Sequence, residues 1–241
     1  MIDYFEFTDK GNREVNEDSI VSLEKQGNFC FVVCDGLGGH GRGEIASGIT
    51  TSTFMDMFYR SDDLVNLIGE ATECAQRYII KRQAEEHKPH ELKTTMAALV
   101  IDDNIAYVGH VGDTRLYFFR KNKLTWRTLD HSVPQMLALA GDIKEKDIRR
   151  HSERNMLLRV IGTEWDEPQY ELAAPVELKK GMAFLLCTDG FWDFIDEKMM
   201  QKALRRSRTA KEWCESMAQI VKANGEGNDM DNFSAITVFC K

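Results

Sequence analysis

Apolar residues fall along this chain in three kinds of run, and each predicts a different element. Phe31 to Cys34 and Met182 to Cys187 are short, unbroken and rich in branched or aromatic side chains, the signature of strands buried on both faces. Ile2 to Phe7 alternates weakly and predicts a strand. So do Ser19 to Leu23, Asn28 to Cys34, Thr95 to Ile101, Ile105 to Val111, Thr114 to Arg120, Leu124 to Leu129 and Asn232 to Cys240. The turns Gly27-Asn28, Asp102-Asp103-Asn104, Gly112-Asp113 and Lys121-Asn122-Lys123 join them as successive antiparallel hairpins. Helical spacing is clear elsewhere. Ile45, Ile49, Thr53 and Met57 with Phe54 and Phe58 predict a helix from Gly43 or Glu44 to Tyr59. Leu64, Leu67, Ile68, Ala71, Ala75, Tyr78 and Ile79 predict a second from Leu64 to His87, capped by Asp62 or Asp63. Ser132 is an N-cap with Pro134 in the first turn and Gly141 as the stop.

The remaining segments are less regular. Lys144 to Arg150 predicts a short charged helix lying out in solvent as a flap. Asn155 to Gly162 is expected to return to the core through Met156, Leu157, Leu158, Val160 and Ile161. Helices are expected near Asp196 to Arg205 and Thr209 to Asn224. No internal repeat and no linker-like stretch divides the chain, so one domain over residues 1–241 is expected.

Composition narrows the class. With 43% hydrophobic residues and four prolines in 241 residues, the sequence suits a packed globular protein. A net charge of −8 argues against a general nucleic-acid footprint, which would be basic. No apolar run approaches the length of a membrane span. Met1 to Glu6 lacks the basic and apolar regions of a signal peptide. The six cysteines form no C-x-x-C pair and lie mostly in apolar segments, so free buried thiols in a reducing cytoplasm are expected.

Phe31 to Gly41 is the stretch around which the rest is arranged. A buried strand runs into Asp35, and the backbone then breaks into Gly36, Gly38, Gly39 and Gly41 around His40. Glycines here allow close approach to an ion or phosphate, although a plain strand-to-helix turn has the same look. No Gly-Lys-Ser/Thr follows, which excludes a Walker loop. The last third repeats the pattern: a buried strand ends at Thr188-Asp189-Gly190, and Asp231 stands just before the final strand. Asn16-Glu17-Asp18 precedes a strand that should pair with the one ending at Asp35, which brings Glu17 or Asp18 near it. If these strand ends are neighbours, several carboxylates meet at one rim and need cations. All-oxygen ligands favour Mg²⁺ or Mn²⁺ over zinc. Asp113, following Gly112, reads locally as a turn aspartate. Arg13 offers a planar fork that matches phosphate oxygens.

Taken in order, Arg13-x-x-Asn16-Glu17-Asp18, Asp35-Gly36-x-Gly38-Gly39-His40, Gly112-Asp113-Thr114-Arg115, Asp130-His131-Ser132, Thr188-Asp189-Gly190 and Asp231-Asn232 resemble the motifs of the metal-dependent PP2C-type (PPM) Ser/Thr phosphatases, the small bacterial members above all. Gly43-Glu44-x-Ala46-Ser47 and Arg154-Asn155-x-Leu157-x-Arg159-x-x-Gly162 add to it, and the likeness runs from about Asp9 to Phe239. The resemblance implies an α+β fold, a four-layer α-β-β-α sandwich of two antiparallel sheets flanked by helices. It implies two Mn²⁺ or Mg²⁺ ions, bridged by Asp35 with the Gly36 carbonyl on one of them. Asp189 and Asp231 complete the first site, and Glu17 and Asp18 hold waters on or near the second. Arg13 binds the substrate phosphate, and a third, weaker ion lies at Asp113 and shares Asp189. The implied reaction is hydrolysis of phosphoserine and phosphothreonine in proteins by in-line attack of a metal-bound hydroxide. Such an enzyme is expected to be a cytoplasmic monomer opposing a Ser/Thr kinase, with phosphorylated proteins as partners and neither nucleic acid nor membrane. No cysteine sits in a nucleophile loop, unlike tyrosine phosphatases.

Two positions depart from that pattern. Leu37 stands where animal members carry the histidine proposed as general acid, and His40 comes three residues later, either transferring the proton or shaping the rim. Lys93-Thr94-Thr95 replaces a common Gly-Thr-Thr at a strand start. A silent phosphoprotein-binding module is the alternative from another class, but such a relative should lack metal-site aspartates, and Asp18, Asp35, Asp113, Asp189 and Asp231 are all present. Activity confined to one regulatory partner is a third reading that the residues do not separate from a general phosphatase.

Overall fold

A computed structural model describes residues 1–38, 42–88 and 91–241. In chain order the first half comprises β1 (Ile2–Asp9), β2 (Ser19–Lys25), β3 (Asn28–Cys34), β4 (Gly36–Leu37), α1 (Gly43–Arg60), α2 (Leu67–Glu85), β5 (Lys93–Thr94), β6 (Met96–Asp102) and β7 (Ile105–Val111). The second half comprises β8 (Arg115–Arg120), β9 (Lys123–Arg127), α3 (Val133–Ala140), β10 (Glu171–Leu172), β11 (Val176–Glu177), β12 (Met182–Cys187), α4 (Asp189–Trp192), α5 (Glu197–Arg206), α6 (Ala210–Gly225) and β13 (Phe233–Cys240).

Two antiparallel sheets face each other. One has the order β1-β13-β12-β8-β9. The other runs β10-β7-β6-β3-β2, with β11 also on β7. Alternation along the strands explains why they are apolar throughout. Phe29, Phe31 and Val33 of β3 meet Phe118, Phe184, Leu186 and Ile236 between the sheets. Cys30, Val32 and Cys34 point the other way, against Phe54 and Phe58 of α1 and Leu67 and Ile68 of α2. Leu185 and Cys187 of β12 turn outward onto Trp213 and Met217 of α6 and Met200 of α5. The expected four-layer α-β-β-α sandwich is therefore observed. Each fully buried Phe or Leu contributes about 1.5–3 kcal/mol by removal from water.

The helix signals mostly hold. Ser132 Oγ accepts the Gln135 N–H and Gly141 closes α3 at φ 86°. Asp196 and Thr209 side chains cap α5 and α6. The second helix starts later than expected, at Leu67 after Asn66. Asp63 instead accepts the Val65 N–H in a preceding turn, and His87 lies beyond the helix at φ 54°.

Two expectations fail. The Glu145–Arg150 segment is a 3₁₀ turn and is not a free flap: Ile148 is buried, and Arg149 donates to the Trp192 carbonyl (2.9 Å) and to Glu197 (2.7 Å). Asn155 to Gly162 does not return whole to the core. Val160 and Ile161 are buried, but Met156 and Leu158 are 52% and 54% exposed. Ile161 exchanges backbone bonds with Thr94 (2.9 and 3.0 Å), while the residues before it cross the end of the sandwich as a loop. Leu157 and Ile161 make only isolated bridges, to Ser132 and Thr94, so the run joins neither sheet as a strand.

Candidate metal and phosphate site

Strand register carries the key carboxylates to one end of the sandwich. Ser19 pairs with Cys34, and Met96 with Val111, so Asp18, Asp35 and Asp113 leave their sheet at the same edge. In the other sheet Cys187 pairs with Ala235, which puts Asp189 beside the start of β13 and Asp231. Arg13, Glu17, Asp35, Gly36, Asp113, Asp189 and Asp231 line one cleft of about 650 Å³, with Asn155 and Leu157 on its wall. Asp18 is not among the lining residues; the residue is half-buried beside them, with its Oδ1 shut off from solvent. His40 lies outside the described residues.

Asp35, Asp18 and Glu17 are each fixed in place while keeping at least one carboxylate oxygen free. The Asp35 N–H donates to Thr95 Oγ1 (3.1 Å), and its carbonyl accepts from Thr95 N–H (2.9 Å) and Thr94 Oγ1 (2.7 Å). Asp18 Oδ2 accepts from Ser234 Oγ (2.7 Å) and Thr188 Oγ1 (3.0 Å), which ties the two sheets together. Its Oδ1 is buried with no partner. Glu17 is fixed at both ends: its N–H donates to Asn232 Oδ1 (2.7 Å), and its Oε1 accepts the Gly43 N–H at the start of α1 (3.0 Å). Asn232 Nδ2 also donates to the Lys10 and Val15 carbonyls, stapling the 10–17 loop. Gly36 and Gly43 cross so closely that a Cβ on Gly36 would lie 2.3 Å from the Gly43 backbone.

Electrostatics shows what the cluster lacks. Burial, then Asp189, Asp18, Asp113 and Asp231, raise the Asp35 carboxyl well above its ordinary range. Burial and Asp189 do the same to Asp113. Asp189 is raised by burial and Asp231, with Arg154 opposing. Burial pushes Asp18 up to about 7 although two hydroxyls favour its ionised form. Glu17 is raised by burial as well. Carboxylates that raise one another, one of them with an orphaned buried oxygen, fit a hard divalent cation and an all-oxygen donor set.

Arg13 sits at the lip, about half exposed, and grips Asp231 with both arms: Nε to Oδ1 and Nη2 to Oδ2, each 3.0 Å. The fork expected to take a phosphate is thus aligned, but on a predicted metal ligand. Nothing in the local sequence pointed to this pairing or to the roles of Ser234 and Asn232, short polar side chains whose partners come from distant chain. The supports behind Asp113 were equally hidden. Arg115 and Asp130 form a buried bidentate pair (2.7 and 2.6 Å). The Arg115 guanidinium lies 3.4 Å over the Trp192 ring, and Trp192 Nε1 donates to the Asp113 carbonyl (3.0 Å).

Comparison with known proteins finds one family throughout. The family profile described as "Protein phosphatase 2C" matches residues 10–233. The serine/threonine phosphatase stp of Listeria monocytogenes is 28% identical over 239 residues, 96% of this chain and 93% of that protein. The crystal structure of serine/threonine phosphatase Stp1 from Staphylococcus aureus superposes with a TM-score of 0.90 at 24% identity, covering 100% of this chain and 96% of that one. The catalytic domain of the serine threonine protein phosphatase PstP, solved in complex with two manganese ions, gives 0.85 at 24% identity, over 99% and 97% of the two chains.

Proposed function

Because the chain belongs to the protein phosphatase 2C family, we propose that its cleft hydrolyses phosphoserine and phosphothreonine in proteins with two Mn²⁺ or Mg²⁺ ions. The carrying observation is the convergence of Asp35, Asp113, Asp189 and Asp231 in one cleft above Asp18, whose free Oδ1 is buried. When bound, the ions supply a water acidified toward neutral pH and positive charge against the phosphoryl oxygens. Asp35, with the Gly36 carbonyl, would stand between the two ions, and Asp189 and Asp231 would hold one of them. Glu17 and Asp18 would orient water at the other, and Asp113 would hold a third, weaker ion.

The protein's own groups do the rest. Arg13 turns its fork from Asp231 to the phosphate, orienting it by two parallel hydrogen bonds. The cleft's open mouth admits a side-chain phosphate on a larger polypeptide. One phosphatase domain over residues 1–241 and phosphoprotein substrates belong to the same reading, supported by the relatives' coverage and names; a monomeric state and opposition to a Ser/Thr kinase complete it. A cytoplasmic location is supported by six cysteines that are all free and mostly buried. No helix among the described residues is long and apolar enough to cross a membrane.

The test is turnover of a phosphothreonine peptide by purified protein. Hydrolysis should require Mn²⁺ or Mg²⁺ and stop with a chelator. Asp35→Ala and Asp189→Ala should each cost several orders of magnitude, because each removes a direct ligand. Full turnover in chelator would reject the mechanism.

A further inference from the structure

Asp113 stands in the turn after β7, and its neighbour Gly112 is gripped by a residue from another part of the chain. The His131 N–H donates to the Gly112 carbonyl (2.9 Å), and His131 Nδ1 accepts the Gly112 N–H (3.1 Å). Gly112 has φ 90°, and a Cβ there would lie 2.5 Å from Thr95, so only glycine fits the turn, and a residue this free needs its conformation held from outside. His131 is 7% exposed. Its ring stacks on His110 with centroids 4.6 Å apart, and its own carbonyl accepts the Leu158 N–H (2.8 Å).

His110, His131 and Glu171 offer ligand atoms within 4.8 Å of one another, the composition of a transition-metal site. The protons place it otherwise. An amide N–H pointing at Nδ1 requires the lone pair there, so the imidazole proton is on Nε2. Nε2 lies 3.3 Å from Glu171 Oε1 without a well-aligned bond, and Arg159 Nη1 places a positive charge on that same oxygen (3.1 Å). His110 Nε2 is taken by the Leu129 carbonyl (2.7 Å). Burial and the His110 ring hold His131 neutral down to about pH 4, the form in which Nδ1 accepts. A cation at Nε2 would have to undo the Gly112 bond.

We propose that His131 is a positioning residue: through Nδ1 and its main-chain N–H it clamps Gly112 and so aims the Asp113 carboxylate into the cleft. The proposal rests on the phosphatase reading, with Asp113 as the ligand of the weak third ion.

Asparagine and glutamine separate the two ring nitrogens. In His131→Asn the side-chain amide reaches the place of Nδ1 and can accept from Gly112, whereas in His131→Gln the longer side chain carries its amide to the place of Nε2. The experiment measures Mn²⁺ binding by calorimetry, kcat and KM on a phosphothreonine peptide, and thermal stability. It compares wild type, His131→Asn, His131→Gln, Asp113→Asn and the double variant His131→Gln/Asp113→Asn. His131→Gln should weaken the weakest ion roughly tenfold and lower kcat roughly tenfold, with the two tight ions and KM unchanged. His131→Asn should stay within about threefold of wild type in both, and the double variant should match Asp113→Asn, because the two residues act in series. Equal loss in the two single His131 variants, an unchanged weak ion in His131→Gln, or a further tenfold loss in the double variant would overturn the clamp. A wild type that binds no Mn²⁺ and an Asp113→Asn identical to it would instead defeat the phosphatase reading, and the clamp with it.

Discussion

At the scale of single residues, the acidic residues of the cleft were legible and their partners were not. Asp35 and Asp189 announce themselves because an apolar run ends in Asp-Gly. Asp18 keeps one buried oxygen free while the other is held by Ser234, 216 residues away, and no local pattern carries such a contact. Arg13 and Asp231 are the same case, 218 residues apart. Their pairing yields a prediction that only the folded chain could suggest. If Asp231 holds a cation as proposed, that cation and Arg13 would compete for the same two oxygens. Arg13→Ala should therefore leave Mn²⁺ affinity intact or tighten it by up to about fivefold, the scale of a half-exposed ion pair. KM for the phosphopeptide should rise, because the phosphate loses its fork. Calorimetry with Mn²⁺ checks the first part. Weakened metal binding in Arg13→Ala would show that the guanidinium builds the metal site and does not compete for it.

At the scale of elements, what the sequence shows is what both faces of an element demand. β3 and β12 were readable because they bury side chains toward the opposite sheet and toward helices, so they are apolar at nearly every position. β4, β5, β10 and β11 are two residues long, and their pairing is set by what lies beside them, so they carry no period at all. Asn155 to Gly162 is the opposite case: it is apolar enough for a core, but it touches other backbone only through single bridges, Leu157 to Ser132 and Ile161 to Thr94, and joins no sheet. The crossing of β4 with the start of α1 can be tested directly. Gly36→Ala puts a methyl 2.3 Å from Gly43 backbone atoms, and backbone cannot swing aside as a side chain would. Overpacking of this kind costs about 1–3 kcal/mol or more. It should also lower activity, because α1 supplies the N–H that holds Glu17. Gly48→Ala, within α1 with open space around it, should do the reverse and stabilise by about 0.5–1 kcal/mol. Melting temperatures of the two variants decide the matter. Similar shifts would mean that the Gly36 crossing is not tight.

At the scale of the whole molecule, the site joins the two sheets, so its charge state is part of the fold's stability. Asp18 is bonded from Thr188 and Ser234 of the facing sheet, and burial pushes it up to about 7. Asp35, Asp113 and Asp189 are raised with it, chiefly by burial and then by one another. In the unfolded chain these groups titrate near the ordinary aspartate value of about 3.9. Between that value and the folded one, the native protein binds more protons than the unfolded chain, so stability falls as pH rises. The contribution is intact below about pH 4 and is lost progressively up to about 7, where Asp18 has ionised inside the fold. On the proposed metal site, a divalent cation would act on the same carboxylates and compete with those protons. It relieves the repulsion most where ionisation is complete. The melting temperature in chelator should therefore decline from about pH 5 to about pH 8. Saturating Mn²⁺ should raise it at both values, but by clearly more at the higher. Asp35→Asn should flatten both responses, because it removes the carboxylate that all the others press against. Calorimetric scans at the two pH values, with and without Mn²⁺, measure all four quantities. A Mn²⁺ shift of equal size at both would mean that the raised carboxylates are not the groups the metal engages.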